Sequence, residues 1–259
     1  MSRFVRSLAL AALCGVVLAG CATSPTTSIA RDDGTKVTVD WADYPGAAGL
    51  EAAEILAAPP EGEVERAAAE LFEAVRAALD EDFDFSWSMT GEDGWYPGGG
   101  NGYGGESALI TYNSRSLETR SVPTSTTDWE AIIDRVSAIT EAKGLGPVLL
   151  DHEVPPSGAN ESAWRKDLKD RFGTDDPDEY WLWNGTAYKD SQWFAVSILD
   201  VNRDPTGHAA EEFSDDPNEG RSIGFFYGVT TIPDDERDAF LRALEPFEGL
   251  EKPPATGSD

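Results

Sequence analysis

Tyr180-Trp181-Leu182-Trp183, followed by Trp193-Phe194-Ala195-Val196-Ser197-Ile198-Leu199-Asp200-Val201, is the stretch that decides the fold. Large apolar side chains recur there at every second residue, the period of a half-buried strand. Trp181 and Trp183 point to the same face, and Leu182 takes the opposite one. A third run of this kind extends from Ile223 to Ile232, and Asp234 opens a helix over about 234–245, with Pro233 at its entry. Strands joined by short loops pair antiparallel, so this half of the chain reads as one continuous sheet.

Upstream, residues 155–178 are polar and carry a short helix around Glu161 to Arg171, and Val148-Leu149-Leu150 is a strand before them. Trp129, Ile132, Ile133, Val136, Ile139 and Thr140 recur at three and four residue steps after the Thr127-Asp128 cap, which predicts a helix stopping near Gly144. Phe83, Phe85, Trp87 and Met89 alternate with Asp84, Ser86 and Ser88 as a strand, with Phe85 and Trp87 expected in the core. Between Gly91 and Gly105 lie eight glycines with Trp95, Tyr96 and Tyr103, and Ala108 to Tyr112 returns as the partner strand, which predicts a hairpin with a long mobile loop. Val64, Ala67, Ala68, Leu71, Phe72, Val75, Ala78 and Leu79 mark an amphipathic helix over about 62–80. The order of these elements predicts an α+β fold, a single twisted antiparallel sheet with helices packed on one face.

The N-terminus carries a different signal. Arg3 and Arg6 precede the apolar run Leu8 to Val17, too short to span a bilayer. The run ends in Leu18-Ala19-Gly20-Cys21, which resembles the lipobox of bacterial lipoproteins, and that resemblance implies diacylglycerol on the Cys21 thiol. The expected organisation is a signal peptide over 1–20, a lipid anchor and tether over 21–60, a globular domain over 61–248 and a disordered tail over 249–259. This places the protein on the extracytoplasmic face of the cell membrane, held through lipid on Cys21. Cys14 lies in the apolar run, so the mature chain has no intramolecular disulfide and rests on its core.

The net charge is −28, and removing Arg3 and Arg6 with the leader makes it −30. Such a surface repels nucleic acid and anionic headgroups and keeps an exported protein soluble. The lipobox, the polar tether, the helix before Phe83-Asp84-Phe85-Ser86-Trp87, the helix from Asp128 to Lys143 and the closing strands together resemble the LppA-type lipoproteins of actinobacteria. That family has no established activity, so the resemblance implies no catalytic residue.

Chemistry is sparse. The histidines are His152 and His208, and neither sits in a nucleophile, zinc or phosphate-loop motif. Asp151-His152-Glu153 at a strand end reads either as an acid-base cluster or as ordinary surface. Asp200, Asn202, Asp204, Thr206 and Glu211 fall at alternate and terminal places of a calcium loop, with Pro205 where that loop requires glycine. The competing reading is a turn through Asp204-Pro205-Thr206-Gly207. Trp95, Tyr96 and Tyr103 are the binding candidates. The sequence thus predicts a tethered binding or scaffold domain for a cell-envelope protein or glycan, with no cofactor beyond the calcium alternative. Its rival is a glycan hydrolase that uses two carboxylates.

Overall fold

A computed structural model describes residues 24–30, 35–212 and 220–256; Cys21 and the leader lie outside them. In chain order the elements are β1 (Thr26–Ala30), β2 (Lys36–Asp40), α1 (Ala52–Ala57), α2 (Glu61–Leu79), β3 (Trp87–Thr90), β4 (Gly94–Pro97), β5 (Ile110–Asn113) and β6 (Ser116–Thr119). They continue with α3 (Thr126–Ala142), β7 (Leu149–Leu150), α4 (Glu161–Phe172), β8 (Leu182–Lys189), β9 (Gln192–Asp200), α5 (His208–Glu212), β10 (Arg221–Thr231) and α6 (Arg237–Leu244). The fold is α+β: β1 and β2 form a separate hairpin, and the other eight strands form one antiparallel sheet.

The sheet runs β3-β6-β10-β9-β8-β7, with β4 beside β5 and β5 beside β10. Register shows that β3 and β4 are two halves of one edge strand, and that β5 and β6 are two halves of the next. Thr90 pairs with Ser116 and Gly94 with Asn113, so three residues, 91–93, bulge opposite two, 114–115. The bulge is tied down at both sides. Ser114 donates its N–H to the Tyr227 carbonyl and accepts the Tyr227 N–H on its hydroxyl, which restores the ladder where the strand breaks. β8 and β9 join through Asp190-Ser191, with Asp190 in the left-handed region at φ 56° that tight hairpins require.

Period two sorts the sheet into two faces. Trp183, Ala187, Phe194, Val196, Ile198, Ile223, Phe225, Tyr227 and Val229 are buried under α2 and α3, the latter helices supplying Val64, Leu71, Val75, Trp129, Ile132 and Val136. Asn184, Thr186, Ala195, Ser197, Ser222, Gly224 and Phe226 stand half-buried on the other face.

Three expectations change. In the segment expected as tether, the described residues 24–30 and 35–60 carry structure: Trp41, Tyr44 and Ile55 are buried, and Trp41 meets the rings of Tyr44, Tyr103 and Phe247 at 5.1–5.5 Å. The described part of the segment expected as a disordered tail, residues 249–256, also packs. Leu250 joins that aromatic cluster, Lys252 Nζ donates to the Ala47 and Leu50 carbonyls, and Thr256 donates to the Gly102 carbonyl. Strand β3 begins only at Trp87, because Phe83 and Phe85 stack on each other at 4.9 Å outside the ladder; all three are half-buried rather than core.

Candidate functional site

A groove of about 450 Å³ opens between the side of helix α2 and the β3 edge of the sheet. Helix α2 turns Ala68 and Phe72 toward it, β3 contributes Trp87 and Met89, and the floor is Tyr112 of β5 and Leu117 of β6. Met89 is 45% exposed, so the rim is apolar as well as the floor. Charge enters from both sides, with Glu65, Glu73 and Arg76 on the helix and Asp93 and Arg115 at the bulge.

Asp93 organises the polar end. Its Oδ1 accepts from the Tyr112 hydroxyl at 2.9 Å and from the Arg115 N–H at 3.0 Å, and its Oδ2 accepts from Arg115 Nε at 2.7 Å. Burial pushes the Asp93 carboxyl up, but the Arg115 and Tyr112 hydrogen bonds outweigh it and hold the group below the usual carboxylate range. The Tyr112 phenol is pushed up, first by burial and then by its bond to Asp93. Asp93 is thus a fixed anion whose main partners are already engaged, suited to holding Arg115 in place and poorly suited to lending a proton. The bulge brings these residues together, since Asp93 and Arg115 are 22 apart in sequence and carry no motif.

The binding candidates separate. Trp95 lies half-buried against Tyr112 with ring centroids at 5.1 Å, next to the groove, and Tyr96 is 53% exposed. Tyr103 is wholly buried and belongs to the aromatic cluster around Trp41, which corrects its reading as a contact residue. The glycine segment is held rather than loose. Asn101, fully buried, donates Nδ2 to the carbonyls of Trp41, Ala42 and Tyr44 at 2.9–3.0 Å and accepts the N–H groups of Tyr103 and Gly105.

The calcium candidates do not converge. Asp200 Oδ1 accepts from the Asn202 N–H and Nδ2, with Arg221 Nε at 3.3 Å. Asp204 turns onto Thr206 and the Ala209 N–H, as a cap at the start of α5, and Glu211 points outward on that helix. Among the described residues no three His, Cys, Asp or Glu side chains meet where a metal ion could sit. His152 packs on Trp183 and Tyr180 at 5.2 and 5.5 Å, with Glu153 and Asp178 nearby. Groove residues Arg76, Asp93 and Arg115 carry no sequence signal; the helical stripe at Ala68 and Phe72 and the alternation at Trp87 and Met89 mark only its apolar part.

No family model, curated protein or solved structure matches the chain. Among the described residues no helix is long and apolar enough to cross a membrane.

Proposed function

We propose that this chain is an extracytoplasmic lipoprotein, held to the membrane through Cys21, whose domain acts as a binding or scaffold module for a cell-envelope partner. The observation that carries the reading is the groove at the α2 and β3 edge. It combines an apolar floor with an immobilised Asp93 and Arg115 pair, the mix that recognition sites use: apolar area for affinity and a few fixed polar groups for orientation. The lipobox and the resemblance to LppA-type lipoproteins support the tethered placement. Asp93 is unsuited to the proton-donor part of a hydrolase, because an ionised carboxylate bonded to three donors has no proton to give a leaving group.

The test is a photoreactive side chain placed at Met89 in the full chain in cells, with Glu63 on the outer side of α2 as control position. A discrete adduct from Met89 that is lost with Arg115→Ala is the expected result. The reading fails if Met89 yields no adduct, or the same adducts as Glu63. Membrane fractionation of Cys21→Ala tests the anchor separately; release or lack of processing is expected.

A further inference from the structure

The sheet face turned away from α2 and α3 holds a second surface. Along β8, β9 and β10 its side chains are Asn184, Thr186, Ala195, Ser197, Ser222 and Gly224, all half-buried, around a shallow hollow of about 360 Å³. Of the residues lining that hollow, Glu118 and Asp151 alone are charged, in a chain that carries −28 overall. At the end nearest the β8–β9 turn the character becomes aromatic. Tyr188 is 57% exposed, and the register sets it opposite Trp193, which in turn is opposite Gly228; Phe226 stands beside Ala195.

Gly228 explains how Trp193 is held. A Cβ at that position would come within 2.1 Å of Trp193 Cζ2 and 2.2 Å of Cε2, so the indole lies against bare backbone and cannot do so over any other residue. Trp193 is half-buried: its indole rests on the Gly228 backbone and part of its surface stays in solvent. An aromatic ring fixed in this way offers its π face at almost no conformational cost.

We infer that this uncovered sheet face is a binding platform for a neutral polysaccharide chain. A pyranose ring presents polarised C–H bonds on its face and hydroxyls on its rim. The C–H face is complementary to the negative π face of Trp193 and Tyr188. The hydroxyls match the amide and hydroxyl groups of Asn184, Thr186, Ser197 and Ser222, which a protein partner would have to desolvate for little apolar gain. Anionic polymers are disfavoured by the charge of the chain. The platform lies on the opposite side of the sheet from the groove and is independent of it.

Native affinity electrophoresis of the detergent-solubilised full chain tests this, in gels containing dextran, a neutral hexose polymer, or glycol chitin, an N-acetylhexosamine polymer. Retardation by at least one of them is expected. Trp193→Ala and Tyr188→Ala are each expected to weaken it tenfold or more, and Glu63→Ala on the outer side of α2 to leave it unchanged relative to a gel without polymer. Tyr188 is exposed at the hairpin end, so its variant folds even if Trp193→Ala does not. The inference is overturned if neither polymer retards the protein, or if Tyr188→Ala is retarded as strongly as wild type. It is also overturned if the wild type sediments as a dimer that Tyr188→Ala dissociates, which would make the face a contact between two copies.

Discussion

Asp234 and Glu61, 173 residues apart, cap each other: Asp234 accepts the N–H groups of Glu61 and Gly62 on its two carboxylate oxygens at 3.1 and 3.0 Å, and Glu61 Oε2 accepts the Asp234 N–H at 3.0 Å. Helix α2 follows Pro60, which offers no side-chain cap, so its first turn is closed by a residue from beyond β10. Asp234→Ala is expected to cost about 1 kcal/mol, as for other lost N-caps. Because the bonds are reciprocal, Glu61→Ala in the Asp234→Ala background should add little. Urea unfolding of the four proteins of the cycle checks this, and strict additivity would refute the coupling.

Asn101 is expected to be the most sensitive polar position of the fold. It serves three carbonyls and two N–H groups in a fully buried site, and Asn101→Ala leaves all five without it. At about 1–3 kcal/mol for each buried group that finds no substitute, the loss should reach about 3 kcal/mol or more. Asn101→Asp should be no better, since it turns an acceptor toward three carbonyl oxygens. A shift in the urea midpoint of either variant no larger than that of Asp234→Ala would show that the loop does not depend on Asn101.

Trp87 is half-buried, sits on Phe225 at 5.9 Å and donates Nε1 to Asp80 at 2.8 Å. Trp87→Ala should therefore cost about 2 kcal/mol, below the roughly 3–5 kcal/mol of a fully buried aromatic ring. Denaturant unfolding distinguishes the two ranges.

Acid should weaken the fold before the carboxylates titrate. Burial against Trp183 and Tyr180 pushes the His152 pKa down, and the neighbouring Glu153, Asp151 and Asp178 only partly offset this. The unfolded chain takes up the proton near the ordinary imidazole value while the folded chain resists it, so stability present above about pH 6.5 declines as pH falls below it. Asp93 and Asp204, both depressed, lose their contributions only at lower pH. The urea midpoint is expected to fall between pH 7.5 and pH 5.0, and His152→Phe to flatten that fall; an unchanged fall in the variant would exonerate His152.

The sequence showed its periodic parts well and its non-local parts hardly at all. Helices expected over about 62–80 and from Asp128 to Lys143 lie at Glu61–Leu79 and Thr126–Ala142, because their apolar stripes are dense and of one period. The β9 and β10 strands were legible for the same reason, whereas the run expected at Tyr180 to Trp183 meets β8 only at Leu182 and Trp183, because the rest of β8, Asn184 to Lys189, carries mostly small and polar residues. By contrast, Trp41, Tyr44 and Ile55 stand singly in Ala- and Gly-rich sequence, and their burial depends on Tyr103, Phe247 and Phe240, far along the chain. The groove escaped for a similar reason. Asp93 and Arg115 face each other only because two strands bulge at the same rung, and nothing local to either residue encodes that coincidence.

The β1–β2 hairpin also sets how the molecule bears load. Thr26 pairs with Asp40 and Ala30 with Lys36, so the chain enters at Thr26 beside the point where it leaves for Trp41, with the Trp41 N–H bonded to the Pro25 carbonyl and Trp41 Nε1 to Thr27. Tension drawn through residue 24 would open that hairpin as a zipper, one rung after another starting at the Trp41 clasp, instead of shearing all rungs together. Each freed residue would lengthen the leash by about 3.3–3.6 Å. The hairpin would thus release slack and act as a mechanical fuse, opening rung by rung at a tension that leaves the sheet behind it intact.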